Sequence, residues 1–267
     1  MAVATPKTPR VLDEPAFVLQ AHDWSESSQI IEVLSRHHGR VVLVAKGVKR
    51  PTSQFRAVLL PFQRLQVGWG GDADIKTLKQ AVWHSGHVLP QGEALMSAYY
   101  LSELLLKLLA RDDPHPTLFD HYGHTLQQLM GPAQRAEVLR AFELCLLREA
   151  GYLPNLDEEA SSLAPVEPQG IYRLVPDVGL QAVSHQAEWS CPGTLWLALQ
   201  DAMSAAVDTQ TPLLQRLLAV LTQAGPEHRS ALRHQLRVLL HYHSGVRTFQ
   251  TRQLLLDLPR LQAVVSA

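Results

Sequence analysis

The chain has 267 residues, of which 46% are hydrophobic and 18% are charged. This length accommodates two modest domains with buried cores, and no apolar run approaches the roughly 18 residues of a membrane helix, which argues against a membrane protein. Its two cysteines, Cys145 and Cys191, are too few and too far apart for a disulfide framework or a cysteine-built zinc site, which favours a reducing, cytoplasmic setting.

The sequence predicts a short leader followed by strands in the first part of the chain. Residues 1–15 have no apolar run of the kind that a secretory signal needs, and we expect them to form a flexible leader. In residues 16–90, short runs rich in Val, Ile and Leu alternate with turn signals. Five strands are predicted, at Ala16–His22, Gln29–Leu34, Arg40–Lys46, Val58–Trp69 with an interruption at Pro61, and Ile75–His84. Five strands in so short a segment favour a closed, OB-type barrel without exposed edges.

From residue 91 the hydrophobic period changes from two to 3.6, which predicts a mainly α-helical domain over residues 91–267. Its helices are expected at Glu93–Arg111, Leu118–Met130, Ala133–Ala150, Gly193–Ala206, Pro212–Ala224 and Pro226–His243. Residues 171–183 fit a small β-hairpin around Pro176 and Asp177. The predicted fold class is therefore α+β, with a five-stranded OB-type barrel in residues 16–90 followed by the helical domain.

The net charge of −1 conceals an uneven distribution of charge along the chain. Residues 1–90 carry a formal charge of +4, residues 91–227 carry −10, and residues 228–267 carry +5. A basic, acidic, basic layout is typical of a protein that attracts a polyanion to chosen surfaces.

The strongest local signal is a stretch without acids from Val33 to Gly71. Its seven cations cannot be neutralised within the segment, so they are met by an acid elsewhere or by a ligand, for which phosphate is the natural candidate. A basic surface that serves only solubility is the alternative. Gly47 follows a predicted strand and favours a turn that presents several cations together. The candidate DNA contacts here are Arg36, Arg40, Lys46, Lys49, Arg50 and Arg56, with Phe55 as the candidate for stacking on a base.

A second basic feature lies in the last predicted helix, where Arg229, Arg233, Arg237 and His241 recur every four residues and form one stripe. Like charges at this spacing repel each other. The three arginines are candidate DNA contacts, and packing of the stripe against the acidic middle of the chain is the alternative.

No catalytic motif is present. The sequence lacks a GxxxxGK[ST] loop, a GxGxxG loop, a GxSxG elbow and an HExxH motif, so we expect no enzyme, no cofactor and no metal. Thirteen histidines, with pairs such as His37 and His38, His84 and His87, and His241 and His243, keep open a histidine-metal phosphoesterase acting on nucleic acid. A basic scaffold that binds acidic proteins is a further alternative.

Several separated segments resemble one known family in order and spacing. They are Phe17-Val18-Leu19, Trp24–Ser28, Gly39–Val41, Val44–Gly47, Leu60-Pro61-Phe62, Lys76–Leu78, Tyr100–Leu105, Leu139–Leu144, Gly151-Tyr152 and the region from Arg247 to Leu254. The chain resembles the RecO family of bacterial recombination mediators over most of its length, and the resemblance is weakest at residues 155–210.

This resemblance implies an OB fold with a helical domain, binding to single- and double-stranded DNA, annealing of complementary strands, and loading of RecA onto strands coated by single-stranded-DNA-binding protein. It implies RecR as a partner and a cytoplasmic, nucleoid-associated location. Many relatives carry a four-cysteine zinc site, but this chain has no Cys-x-x-Cys, so no zinc is expected. Docking of the acidic, hydrophobic tail of the single-stranded-DNA-binding protein is expected at Leu105, Phe119, Arg140 and Phe142. Arg140 is the candidate carboxylate clamp, with an ordinary ion pair to a neighbouring acid as the alternative.

Overall fold

A computed structural model describes residues 10–84, 89–131, 134–184, 187–205, 211–251 and 253–254. The chain forms two compact units, one within residues 1–127 and one within residues 128–267. The first holds five strands and nearly all of two helices, and the second is mainly helical. The predicted α+β class is confirmed. That residues 16–90 form a domain of their own stays a prediction.

The five strands of the first unit close into a barrel. They are β1 (Arg10–Asp23), β2 (Gln29–Ser35), β3 (Gly39–Ala45), β4 (Arg64–Gly70) and β5 (Ile75–Trp83). Their order around the barrel is β1-β2-β3-β5-β4, and β4 pairs with β1 to close it. All pairs are antiparallel except β3 with β5. β1 is long enough to pair with β4 through its first half and with β2 through its second half.

Alternate residues of each strand fill the barrel, as the period of two predicts. Val18 of β1, Ile31 of β2, Leu43 of β3, Val67 of β4 and Leu78 of β5 all lie in one buried cluster. The residues between them point to the outside of the barrel, where functional side chains can stand on a rigid framework.

The flexible leader is wrong for residues 10–15, because β1 begins at Arg10. Pro15 and the Asp13-Glu14 pair resemble strand breakers, but the β1–β4 pairing accommodates them with a register shift between Val11 and Glu14. Burial alone would raise the pKa of Glu14, but hydrogen bonds from the His37 backbone and Ser35 outweigh it and lower that pKa. Residues 1–9 lie outside the described residues.

The fourth predicted strand, Val58–Trp69, is wrong in its first half. Residues 51–62 run as a series of turns, and β4 begins only at Arg64. Phe62 has a φ of 65°. This left-handed conformation cannot continue a strand, so the apolar residues before Phe62 pack on the barrel core without pairing.

Two helices, α1 (Glu93–Leu108) and α2 (Pro116–Leu129), accompany the barrel. Phe17 points outward from β1 and yet is only 1% exposed, because its ring lies 5.0 Å from the ring of Phe119 and 5.2 Å from that of Tyr122. Gly123 allows this approach, since a Cβ there would lie 3.2 Å from the Phe17 Cζ atom. The helices therefore cover an apolar part of the barrel's outer surface.

The second unit contains four helices and a small sheet within its described residues. They are α3 (Arg135–Glu149), β6 (Ile171–Val175), β7 (Gly179–Ala182), β8 (Cys191–Pro192), α4 (Gly193–Ser204), α5 (Leu213–Gln223) and α6 (Pro226–Ser244). The predicted hairpin is present as β6 and β7, and β8 adds a third strand beside β6 that the sequence did not predict. Through the described part of the chain, every helix falls short of the length and apolarity needed to cross a bilayer.

Candidate nucleic-acid interface

Two turns of the barrel lie side by side and form an open cleft. The β1–β2 turn, residues 24–28, is joined to the turn after β3, residues 46–50, by a hydrogen bond of 3.0 Å from the Lys49 N–H to the Ser27 carbonyl oxygen. The Gly47 N–H also donates to the Ser28 hydroxyl, at 3.4 Å. We call this feature the turn cleft; its walls are Trp24, Ser25, Ser27, Ser28, Val44, Lys46, Gly47 and Arg50.

The turn cleft combines an exposed aromatic ring with free positive charge. The Trp24 side chain is 64% exposed. Lys46 and Arg50 are exposed on the opposite turn, and no carboxylate of the described residues forms an ion pair with either. Gly47 has a φ of 72°, which lets the chain turn between the two cations. A ring beside two free cations suits a nucleotide, whose base stacks and whose phosphate is anionic.

Lys49 has a different role from its neighbours. Its ammonium group lies 2.7 Å from the Asp23 carboxylate and donates to the Ser25 carbonyl oxygen at 3.0 Å. Hydrogen bonds from Lys49 and then from Gln29 lower the pKa of Asp23, so this carboxylate is ionised at neutral pH. Lys49 therefore ties the turn that carries Trp24 to the turn that carries Lys46 and Arg50.

Two further candidates for DNA contact form ion pairs within the first unit. Arg36 is 2.8 Å from Asp120, and Arg40 is 2.9 Å from Glu32. Both acids lie outside the segment from Val33 to Gly71, which is why that segment looked unneutralised. For Arg36 and Arg40 these pairs realise the alternative that an acid elsewhere in the chain meets the charge, and their contact with DNA stays a prediction. Arg56, in contrast, is exposed without an ion pair among the described residues.

The stacking candidate also changes. Phe55 is partly buried and packs against the barrel core, and its stacking on a base stays a prediction. Trp24 is the exposed ring instead. Trp24 stands in the otherwise polar sequence Trp-Ser-Glu-Ser-Ser, between the strands whose alternating side chains fill the barrel. This position in a polar turn was the signal available in the sequence.

The arginine stripe of α6 divides into different environments. Arg229 lies 3.4 Å from Glu137 of α3, which realises the alternative that the stripe packs against the acidic middle of the chain. Arg233 and Arg237 are exposed on α6. The apolar face opposite the stripe is buried as expected, with Leu232, Leu236, Leu239 and Leu240 at most 1% exposed.

A second open groove runs beside α3 and α6. We call it the α3–α6 groove; its lining is Ala136, Glu137, Leu139, Arg140, Leu221, Pro226, Arg229, Ser230, Leu232 and Arg233. Of its three leucines, Leu139 is partly exposed, whereas Leu221 and Leu232 are buried. Of its three arginines, Arg229 is paired with Glu137. Arg140 lies 2.5 Å from Glu143, as the ion-pair alternative for Arg140 expects.

The other residues expected at the partner site are buried. Leu105 and Phe142 have no exposed surface, and Phe119 is 1% exposed. Leu105 and Phe119 belong to the first unit, whereas Arg140 and Phe142 belong to the second. Their role as a docking surface is therefore corrected: three of the four side chains have no surface that a partner could contact.

The sequence offers no counterpart to the four-cysteine zinc site that the family resemblance implies for many relatives, since it has only Cys145 and Cys191. Within the described residues, no three or more His, Cys, Asp or Glu side chains are grouped to hold a metal ion. Burial raises the pKa of the Cys145 and Cys191 thiols to about 12 in each case, so neither is a ready thiolate ligand. The Cys191 Sγ atom instead lies 3.5 Å from the Gln235 amide nitrogen. His87 lies outside the described residues.

Comparison with known proteins decides the family. A family model described as the N-terminal part of recombination protein O matches residues 10–87, and one described as its C-terminal part matches residues 89–252. The chain belongs to the RecO family. The resemblance inferred from separated sequence segments is confirmed.

Full-length relatives agree with the family models. The chain is 50% identical over 256 residues to a protein named DNA repair protein RecO from Polaromonas sp. strain JS666, covering 95% of this chain and 99% of the relative. Proteins of the same name from Variovorax paradoxus and Albidiferax ferrireducens are each 51% identical over 258 residues. These matches cover 94% and 95% of this chain, respectively, and 98% of each relative.

Proposed function

We propose that the chain is a DNA-binding recombination mediator in DNA repair, which anneals complementary strands and helps to load RecA onto protein-coated single-stranded DNA. The proposal rests on the turn cleft, where the exposed Trp24 ring lies beside Lys46 and Arg50, two cations that no carboxylate of the described residues pairs with. Membership of the RecO family supports the same role. The location proposed with it is the cytoplasm, at the nucleoid.

The chemistry of such a role needs no bond to be made or broken. Two complementary strands repel each other through their phosphates, and cations that neutralise these phosphates lower the repulsion. Stacking on Trp24 contributes about 1–3 kcal/mol per base and does not depend on sequence, as a general annealing protein requires. The proposal is therefore non-enzymatic, and cleavage of DNA by the purified protein would contradict it in favour of the phosphoesterase alternative.

We expect Trp24→Ala to weaken binding of single-stranded DNA by about 5- to 150-fold, the equivalent of one lost stacking interaction. Replacing both Lys46 and Arg50 by alanine should lower the slope of log affinity against log salt by about 1.4, since each single-strand phosphate contact contributes about 0.7. Fluorescence anisotropy with a labelled oligonucleotide at several salt concentrations measures both effects.

A charge control accompanies this test. Lys107→Ala combined with Arg148→Ala removes two exposed cations from α1 and α3, so it reproduces the change in net charge without touching the turn cleft. Wild-type affinity and salt slope in the Lys46 and Arg50 double variant would contradict the proposal. If DNA failed to compete with acidic proteins for binding to the wild type, the scaffold alternative would replace it.

We further propose that the α3–α6 groove receives the acidic, hydrophobic tail of single-stranded-DNA-binding protein. Leu139 is partly exposed and offers apolar surface, and Arg233 is exposed at the groove, where it can donate to a carboxylate. We also propose RecR as a second protein partner, and this proposal rests on family membership alone.

The tail proposal is tested on Arg233. Because a hydrogen bond to a charged group contributes about 1.5–3 kcal/mol, Arg233→Ala should weaken binding of a labelled tail peptide by about 10- to 150-fold. Arg148→Ala, which removes an exposed cation of α3 outside the groove lining, is the control and should bind as the wild type does. Equal affinities of the Arg233 variant and the wild type would place the tail elsewhere.

A further inference from the structure

A row of residues that pair with one another across neighbouring strands runs from the turn cleft to the start of β1. Val44 of β3, which lines the turn cleft, pairs with Thr77 of β5. Thr77 pairs in turn with Gly70 of β4, and Gly70 pairs with Arg10 of β1. These four residues therefore lie in line across four neighbouring strands, perpendicular to the strand direction.

The row lies on the outside of the barrel. Leu43, Leu78 and Trp69, which neighbour Val44, Thr77 and Gly70 in the sequence, belong to the buried core cluster. Since side chains alternate between the two faces of a strand, Val44 and Thr77 point outward. Neighbouring strands are about 4.8 Å apart, so the three steps of the row span about 14 Å.

The middle of this row is shallow and uncharged. Gly70 has no side chain, and Val44 and Thr77 have short ones, so little protrudes between β3 and β1. At the far end, Arg10, Gly70, Gly71, Thr77 and Lys79 line a second open cleft. Arg10 and Lys79 are exposed and have no ion pair among the described residues.

We infer that one single strand of DNA follows this row from the turn cleft to Arg10 and Lys79, passing over the uncharged residues Val44, Thr77 and Gly70. The inference rests on the proposed DNA-binding function and adds the path of the strand. Within the part of the chain that the structure describes, cations without ion pairs stand at both ends and none lies between them. This arrangement matches a polyanion that is anchored twice, and an OB fold holds about 4–16 nucleotides. The Trp24 ring at one end selects a single strand, because the bases of a duplex stack on each other.

The acids beside the path limit its width. Asp72 and Asp74 are exposed in the turn between β4 and β5, next to Gly71. Their carboxylates repel phosphate, so the strand is held on the side of Thr77 and Gly70.

The test uses the full chain and oligonucleotides of four and twelve nucleotides. Replacing both Arg10 and Lys79 by alanine should lower the salt slope for the twelve-nucleotide strand by about 1.4. Affinity for the four-nucleotide strand, which the turn cleft can hold alone, should change less than twofold. The charge control at Lys107 and Arg148 should leave both strands unaffected.

A second variant tests the middle of the path without removing a cation. Thr77→Glu places a carboxylate in the row and should weaken binding of the twelve-nucleotide strand more than tenfold. Thr117→Glu, the same change at an exposed residue of α2, is the matched control and should bind normally. Circular dichroism confirms that each variant is folded.

The outcomes separate the path from the proposed function. If the Trp24 variant loses affinity while the Arg10/Lys79 and Thr77 variants bind normally, the path is wrong and the function stands. An equal loss of duplex and single-strand affinity in the Arg10/Lys79 variant would also overturn the path, since it would mark a general phosphate contact. If the variants at Trp24, Lys46 and Arg50 bind normally as well, the proposed function itself fails.

Discussion

Replacing Phe17 by alanine is expected to lower the free energy of unfolding by about 3–5 kcal/mol. The side chain is 1% exposed and contacts the rings of Phe119 and Tyr122, so its removal leaves a cavity where β1 meets α2. Aromatic pairs add about 0.5–1.5 kcal/mol beyond the buried area, which favours the upper part of this range.

Urea denaturation followed by tryptophan fluorescence measures this loss, and the transition to follow is that of the first unit. Leu12→Ala is the matched control: Leu12 lies on the same strand but is 56% exposed, so its truncation should change the stability by at most about 0.5 kcal/mol. If the two variants lost the same stability, the packing of Phe17 against α2 would not be the cause.

The strands could be predicted because their signals are local. β2 was predicted as Gln29–Leu34 and observed as Gln29–Ser35, since Ile30, Ile31 and Val33 favour extended backbone and polar turns flank them. The predicted β1 is too short, because Pro15 and the acids before it are unfavourable in a regular strand. A register shift in the pairing with β4 accommodates them. A register shift depends on the partner strand, and a single segment does not reveal it.

The candidate site was harder to predict because ion pairs join residues that are distant in the sequence. Asp120 neutralises Arg36 across 84 residues, and Asp23, at the end of β1, neutralises Lys49. A count of charges in a window includes both cations and misses both acids. Lys46, Arg50 and Arg56, which stay predicted DNA contacts, are exposed. Trp24 lies beside Lys46 and Arg50 only because two turns from different strand pairs meet.

Arg140→Ala is expected to destabilise the second unit by about 3 kcal/mol, because breaking a buried ion pair by removing one partner costs about 3–5 kcal/mol. The Glu143 side chain has no exposed surface and lies 2.5 Å from the Arg140 guanidinium, whose own side chain is 16% exposed. This residual exposure of Arg140 favours the lower end of the range. Thermal and urea unfolding of the variant measure the loss, with Arg148→Ala on the same helix as the exposed control.

A double variant separates the ion pair from the space that its members fill. Arg140→Met with Glu143→Leu replaces both charges by apolar side chains of similar size and should recover most of the stability lost in Arg140→Ala. If the double variant were as unstable as the single one, the packing of the Arg140 stem would account for the loss instead of its charge. The folded double variant also tests whether Arg140 takes part in binding the tail peptide. Since Arg140 is paired with Glu143, we expect the double variant to bind the peptide nearly as well as the wild type, with Arg233 as the cation that contacts the peptide.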